Sequence, residues 1–196
     1  MLNIHAIPLG LLGTNCYILR QGDSKTCILI DPGQQPEPLL DYLQDQDLTV
    51  AAILLTHGHF DHVGGVRQVV AEMDCPVYLC TKDLTLPPRM TDGPLYYTDS
   101  YQEGSHLELA GISFDVIETP GHTPGSVCLL AEDCLFSGDT LFAGSCGRTD
   151  FPGGDTRQMY ASLARLAQIP QDYRVFPGHG ESTTLSAEKQ YNPFMN

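Results

Sequence analysis

Four times along this 196-residue chain, an apolar run ends in a glycine-bordered turn that carries histidine or aspartate. The stretches are "AAILLTHGHFDH", "FDVIETPGHTPG", "CLFSGDT" and "DYRVFPGHGE". A fold that accommodates all four brings several strand ends to one place. A site assembled from loops over a rigid sheet has this form.

The remaining pattern sets the fold class. Strand-like runs fall at Cys16 to Leu19, Cys27 to Ile30, Ala51 to Leu55, Val77 to Cys80, Phe114 to Ile117, Val127 to Leu130 and Tyr173 to Phe176. Helical periodicity falls at Glu37 to Leu43, Val66 to Met73, Thr156 to Ala167 and Leu185 to Gln190. The two types mingle, so the class is α+β. No low-complexity stretch or linker divides the chain, and one domain over 1–196 is expected. The segment from Lys82 to Gly104 lacks periodicity and reads either as a surface loop or as a lid or substrate wall.

The stretch "THGHFDHVGG" concentrates His57, His59, Asp61 and His62 within six residues. Gly58 disfavours a helix interior, and in an extended segment alternate side chains point the same way. His57 and His59 can therefore reach one ion. Asp61 and His62 are adjacent and diverge, which suits a second ion. His122 and His179 stand in the repeated Pro-Gly-His, and Asp139 follows another strand-like run. Gly-Asp-Thr at Asp139 also suits a plain turn or helix cap. His5 and His106 have no ligand-like neighbours and read as structural residues.

Seven candidate ligands overfill one zinc ion, which takes about four ligands, and suit two, with Asp139 as the carboxylate to bridge them. Imidazole and carboxylate without thiolate fit two divalent ions, zinc foremost, with iron or manganese admissible. The seven cysteines are odd in number and form no Cys-x-x-Cys pair. They read as small buried residues of a reducing compartment. No apolar run is long enough to span a bilayer, and no basic residue precedes Arg20, so a cytoplasmic protein without a membrane partner is expected. The formal net charge of −14 argues against nucleic acid as a partner. The oligomeric state stays open.

The His-x-His-x-Asp-His cluster with its later isolated ligands resembles the metallo-β-lactamase superfamily. Asn15-Cys16-Tyr17, Asp31-Pro32-Gly33, "THGHFDHVGG", "TPGHTPGS", "FSGDTLF" and "FPGHGE" follow one another in that family's order. The resemblance implies a four-layer αββα sandwich with the metals at one edge of two facing sheets. It implies one ion on His57, His59 and His122, and a second on Asp61, His62 and His179, with Asp139 bridging. Asp31 would support the site or simply make a turn.

Within the family the chain is similar to short glyoxalase II-like hydrolases, through "GSCGRTDFPGGD" and "NPFM". Retention of Asp61-His62 together with Asp139 counts against β-lactam hydrolysis. No C-terminal helical substrate domain is expected, and Glu181 replaces a customary aromatic, so glutathione recognition is in doubt. The implied reaction is hydrolysis of a small-molecule thioester such as S-lactoylglutathione by a hydroxide shared between the metals. Asp61 would orient the attacking oxygen, and a thiolate leaves without a strong general acid.

Arg148 reads either as a clamp for a substrate carboxylate or as an ion-pair partner of Asp150. Tyr96, Tyr97 and Tyr101 are further candidates for substrate contact. Two rival readings stand beside the hydrolase. One is a mononuclear-iron persulfide dioxygenase using His57, His122 and Asp139, which "CGRTDF" also resembles. The other is a non-catalytic metal-binding protein.

Overall fold

The computed structural model describes residues 1–195. The first sheet contains β1 (Leu2–Leu9), β2 (Thr14–Gln21), β3 (Thr26–Ile30), β4 (Thr49–Leu54), β5 (Val77–Leu79) and β6 (Asp99–Ser100), in that spatial order. Strands β1 to β3 are antiparallel and β3 to β6 are parallel. The second sheet contains β7 (His106–Leu109), β8 (Ile112–Glu118), β9 (Val127–Ala131) and β10 (Cys134–Gly138). A small hairpin follows, β11 (Leu141–Phe142) with β12 (Ser145–Cys146). Then β13 (Arg174–Pro177) and β14 (Thr183–Thr184) rejoin the second sheet, whose order is β14-β13-β10-β9-β8-β7.

The period-2 alternation of strand side chains sorts residues into separate cores. Tyr17, Leu19, Ile28, Ile30, Ala52 and Leu54 meet Phe114, Val116, Val127, Leu129 and Phe136 between the two sheets. Their alternates Ile18, Cys27, Leu29 and Ile53 face outward, beneath α1 (Glu37–Asp45) and α3 (Val66–Met73). A single turn, α2 (Phe60–Val63), stands between β4 and α3. On the other side, Cys128 and Leu135 face Met159, Leu163 and Leu166 of α5 (Thr156–Ala167) and Leu185 of α6 (Leu185–Tyr191). Strands buried on both faces read as nearly continuous apolar runs, which is why these were conspicuous in the sequence. Helix, sheet, sheet and helix form the expected four-layer αββα sandwich.

The segment from Lys82 to Gly104 is more ordered than its composition implied. It contains a 3₁₀ turn (Thr81–Thr85), α4 (Pro88–Thr91) and β6. Tyr101 is buried, and its hydroxyl donates to the Leu55 carbonyl. It is a core residue and cannot serve as the substrate contact suggested for it.

Helix α5 begins beside the His122 loop. The Asp155 side chain caps it by accepting from the Arg157 and Gln158 amides, and the Asp155 amide donates to Gly121 O at 2.8 Å. Asp155→Ala should lower unfolding stability by about 1 kcal/mol with the fold retained. Urea denaturation checks this. An unchanged midpoint would show that the cap contributes nothing.

Candidate metal centre

Each candidate ligand lies just beyond a strand. His57 and His59 follow β4; His122 stands between β8 and β9; Asp139 follows β10; His179 follows β13. His59 keeps an extended backbone and forms the N-cap of α2, whose first turn carries Asp61 and His62. The change from extended chain to helical turn at this point lets one short motif serve two positions.

The ligand-type atoms fall into compact groups. His57, His59 and His122 form one, and Asp61, His62 and His179 another, with the atoms of each within 4.8 Å of one another. Asp139 reaches both: Oδ2 lies 3.4 Å from His122 Nε2 and 3.6 Å from His179 Nε2, and Oδ1 lies 3.3 Å from His62 Nε2. A third grouping joins Asp31 to His57 and His62. The Asp31 oxygens are already engaged. Oδ1 accepts from the Thr56 amide at 2.7 Å; Oδ2 accepts from Thr56 Oγ1 at 2.6 Å and meets His62 Nδ1 at 2.9 Å. Asp31 therefore braces the site, and its φ of 51° shows that it also makes the turn. The two roles offered for it from sequence coexist.

The residues fit metal ions on internal grounds. His57 Nε2, His59 Nε2 and Asp139 Oδ1 are buried and have no hydrogen-bond partner. Buried polar atoms are nearly always satisfied, and three unsatisfied atoms in one cluster match ligands awaiting a cation. Other ring nitrogens are fixed from behind. His122 Nδ1 donates to Arg148 O at 2.7 Å, and His62 Nδ1 is held by Asp31. Such outer contacts set tautomer and orientation. Gly178 is required by close approach, since a Cβ there would overlap Asp139 Oδ1 and lie 2.6 Å from His62 Cε1.

Electrostatics divides the cluster. Burial, reinforced by the neighbouring imidazoles, pushes His59 down to about 3 and His57 well below the usual histidine value. Burial also dominates at His122, which is lowered despite Asp139. At His62 burial works downward, but Asp139 and Asp31 outweigh it and hold the ring well above its ordinary value. His179 is raised in the same way, with Asp61 and Asp139 overcoming burial. Asp61 is lowered, because His179, His62 and Thr14 Oγ1 at 3.0 Å together outweigh its burial. The Thr14 contact was not anticipated; a lone threonine at the start of a strand carries no signal of it.

Above these groups opens a cleft of about 560 Å³. His59, Asp61, His122, Asp139 and His179 contribute its polar side, and Leu12, Phe60, Met90, Phe142 and Phe151 give it apolar walls. Arg148 also lines it. Its guanidinium makes two 2.7 Å bonds to the Asp150 carboxylate and lies 3.8 Å from the Phe151 ring centroid. The ion-pair alternative for Arg148 is thus realised, at the rim of the cleft.

Two groups of side chains that could hold metal ions, both approached by the Asp139 carboxylate, lie at the common edge of two stacked sheets. The chain belongs to the metallo-β-lactamase superfamily, whose sequence profile matches residues 9–179. It is 35% identical to the hydroxyacylglutathione hydrolase GloC of Haemophilus influenzae, over 100% of this chain and 99% of that one. Its fold is similar to that of the BLEG-1 B3 metallo-β-lactamase, with a TM-score of 0.90, 39% identity and coverage of 99% and 100%. It is also similar to TTHA1623 in a di-iron-bound form, with a TM-score of 0.86, 42% identity and coverage of 97% and 99%.

The protein as isolated should carry close to two metal ions per chain by elemental analysis. His122→Ala and His62→Ala should each lower that content by up to one equivalent while circular dichroism stays unchanged, because His122 lies on a loop and His62 on the single turn α2, and neither belongs to the apolar cores. A variant that remains fully metallated would remove its residue from the ligand set.

Proposed function

We propose that this chain is a metal-dependent thioester hydrolase acting on S-lactoylglutathione or a related small acyl thioester. The observation that carries the reading is the pair of ligand groups joined by Asp139 at the floor of an open cleft. The full-length similarity to a hydroxyacylglutathione hydrolase supports the substrate class. In this reading His57, His59 and His122 hold one divalent ion, Asp61, His62 and His179 hold the other, and Asp139 bridges. Zinc suits these donors best, and iron or manganese is compatible with them.

When bound, such ions supply Lewis acidity and bring the pKa of a water to about 7. Asp61, fixed through Oδ2 by Thr14 Oγ1, orients the attacking water and accepts its hydrogen bond. The Arg148 carbonyl and the Asp31 carboxylate keep the rings of His122 and His62 from rotating. Leu12, Phe60, Met90, Phe142 and Phe151 seat the apolar part of the substrate. The departing thiolate is a good leaving group and needs no side-chain proton. We assign Arg148 to the substrate carboxylate, which must compete with Asp150 for the guanidinium.

We infer a reducing, cytoplasmic compartment from the state of the thiols alone. All seven cysteines are free thiols, and no described helix is long and apolar enough to cross a membrane. The acidic surface disfavours nucleic acid. The BLEG-1 similarity favours a second reading, opening of a β-lactam. That bond is an amide, whose nitrogen leaves less readily than a thiolate.

The test compares kcat/KM for S-lactoylglutathione, a matched short acyl thioester and a chromogenic cephalosporin. Both thioesters should be hydrolysed with comparable efficiency and with high KM for the glutathione substrate. The cephalosporin should be turned over far more slowly. Arg148→Ala should raise KM more than it lowers kcat, since a remote handle is held equally in ground and transition states. A glutathione preference of a thousandfold or more, about 4 kcal/mol, would show a dedicated tripeptide pocket. A single iron with oxygen uptake on glutathione persulfide would replace the hydrolase by a dioxygenase, and metal binding without turnover of any substrate would leave a binding protein.

A further inference from the structure

Asp83 stands outside the ligand groups, on the 3₁₀ turn Thr81–Thr85, yet it is fully buried. Its carboxylate makes three close hydrogen bonds. Oδ2 accepts from the Gly58 amide at 2.7 Å and from Thr123 Oγ1 at 2.9 Å; Oδ1 accepts from the Gly125 amide at 2.6 Å. Gly58 separates His57 from His59, and Thr123 follows His122. One carboxylate therefore grips both loops that carry the three-histidine group.

The grip has little slack. A Cβ at Gly125 would lie 2.7 Å from Asp83 Oδ1 and 2.8 Å from the Asp83 backbone nitrogen. Burial raises the carboxyl above its usual range, against the opposing pull of the Gly58, Gly125 and Thr123 donors. A buried carboxylate is tolerated where donors fill its oxygens. Here those donors belong to the two ligand loops, so the group's own solvation requires the loops to be in place.

None of the Asp83 bonds reaches α2 or the His179 loop. The other ligand group has a separate brace, Asp31 on His62. The two carboxylates differ in reach: Asp31 holds the His62 imidazole directly and also the Thr56 amide and hydroxyl before His57, whereas Asp83 touches only the Gly58 and Thr123–Gly125 segments that flank His57, His59 and His122.

We propose that Asp83 is the positioning residue of the three-histidine metal site, setting the spacing of His57 and His59 against His122 by clamping Gly58 to Thr123 and Gly125. The proposal rests on the ligand assignment above and is independent of the substrate. Failure to hydrolyse any thioester would leave its metal-binding readout intact.

The experiment titrates the metal-free protein with Zn²⁺ against a chromophoric chelator, resolving two binding steps. Asp83→Asn keeps size and shape but turns one acceptor into an NH₂ group facing an N–H or O–H donor. One step should weaken by tenfold or more, as losing an outer support of a metal ligand does. The other should stay within about twofold. Repeating the substitution in two backgrounds assigns the step. With His62→Ala, the remaining ion should weaken at least tenfold; with His122→Ala, it should be nearly unaffected.

Equal weakening of both steps, or of neither, overturns the proposal, as does an effect confined to the His122→Ala background. If Asp83→Asn does not fold, Thr123→Val removes one of the three donors. It should weaken only the three-histidine step, by a smaller factor of about threefold. An indifferent or evenly shared response to Thr123→Val counts against the proposal in the same way.

Discussion

The Asp31 carboxylate is the contact on which the centre's geometry depends. It sits where β3 ends, accepts from the Thr56 amide and hydroxyl where β4 ends, and holds His62 on α2. Its own amide donates to Leu54 O at 3.1 Å. Three elements of the first sheet's outlet are thereby fixed relative to one another. A positive φ at Asp31 turns the chain so that its side chain points back over the neighbouring strand. Removing the carboxylate would leave the Thr56 amide and His62 Nδ1 without their acceptor in a buried place, a cost of about 1–3 kcal/mol for each orphaned group.

The two sheets must also meet at this edge in fixed register, and polar contacts between them gather there. The Val127 amide donates to Thr56 O at 2.9 Å, joining β9 to the His57 loop. Asn15 of β2 donates its amide to Gly178 O and its side chain to Pro177 O and Gly180 O, around His179. Tyr17 OH donates to Pro177 O at 2.6 Å. The apolar packing between the sheets is non-directional and sets only their separation. These hydrogen bonds set their alignment, so ligands from both sheets converge without being neighbours in sequence.

Alignment brings together groups of opposite electrostatic character. The three-histidine side is dominated by burial among imidazoles, which keeps its rings neutral and ready to donate lone pairs. The other side sets His62 and His179 among Asp31, Asp61 and Asp139, which favour protonated rings. A divalent ion bound there would take the place of protons the carboxylates would otherwise hold on those rings. Asp139, whose carboxyl the neighbouring histidines lower against the opposing effect of burial, lies between the two sides and is suited to serve both. One cluster thus contains two unlike positions, a property that follows from which side of Asp139 the carboxylates occupy.

What was legible in the sequence follows the range of the interactions involved. Strands buried on both faces announce themselves as local apolar runs, and all seven runs lie in observed strands apart from three end residues, Leu55, Cys80 and Tyr173. The edge strands β1 and β7 were not read, because most of their side chains are partly or fully exposed and their polar residues mask the pattern. The seven ligand candidates were visible because His-x-His-x-Asp-His is compact and Pro-Gly-His recurs. The division of those ligands into two groups needed the resemblance and then the fold. Arg148 shows where sequence stops short: both partners were named, and only the folded loop shows its guanidinium paired with Asp150 at the cleft rim. Asp83 was invisible for a stricter reason. Its partners lie 25, 40 and 42 positions away, and two of them are backbone amides, which have no letter in a sequence. A residue whose whole environment is made of distant backbone can be recognised only after the chain has folded around it.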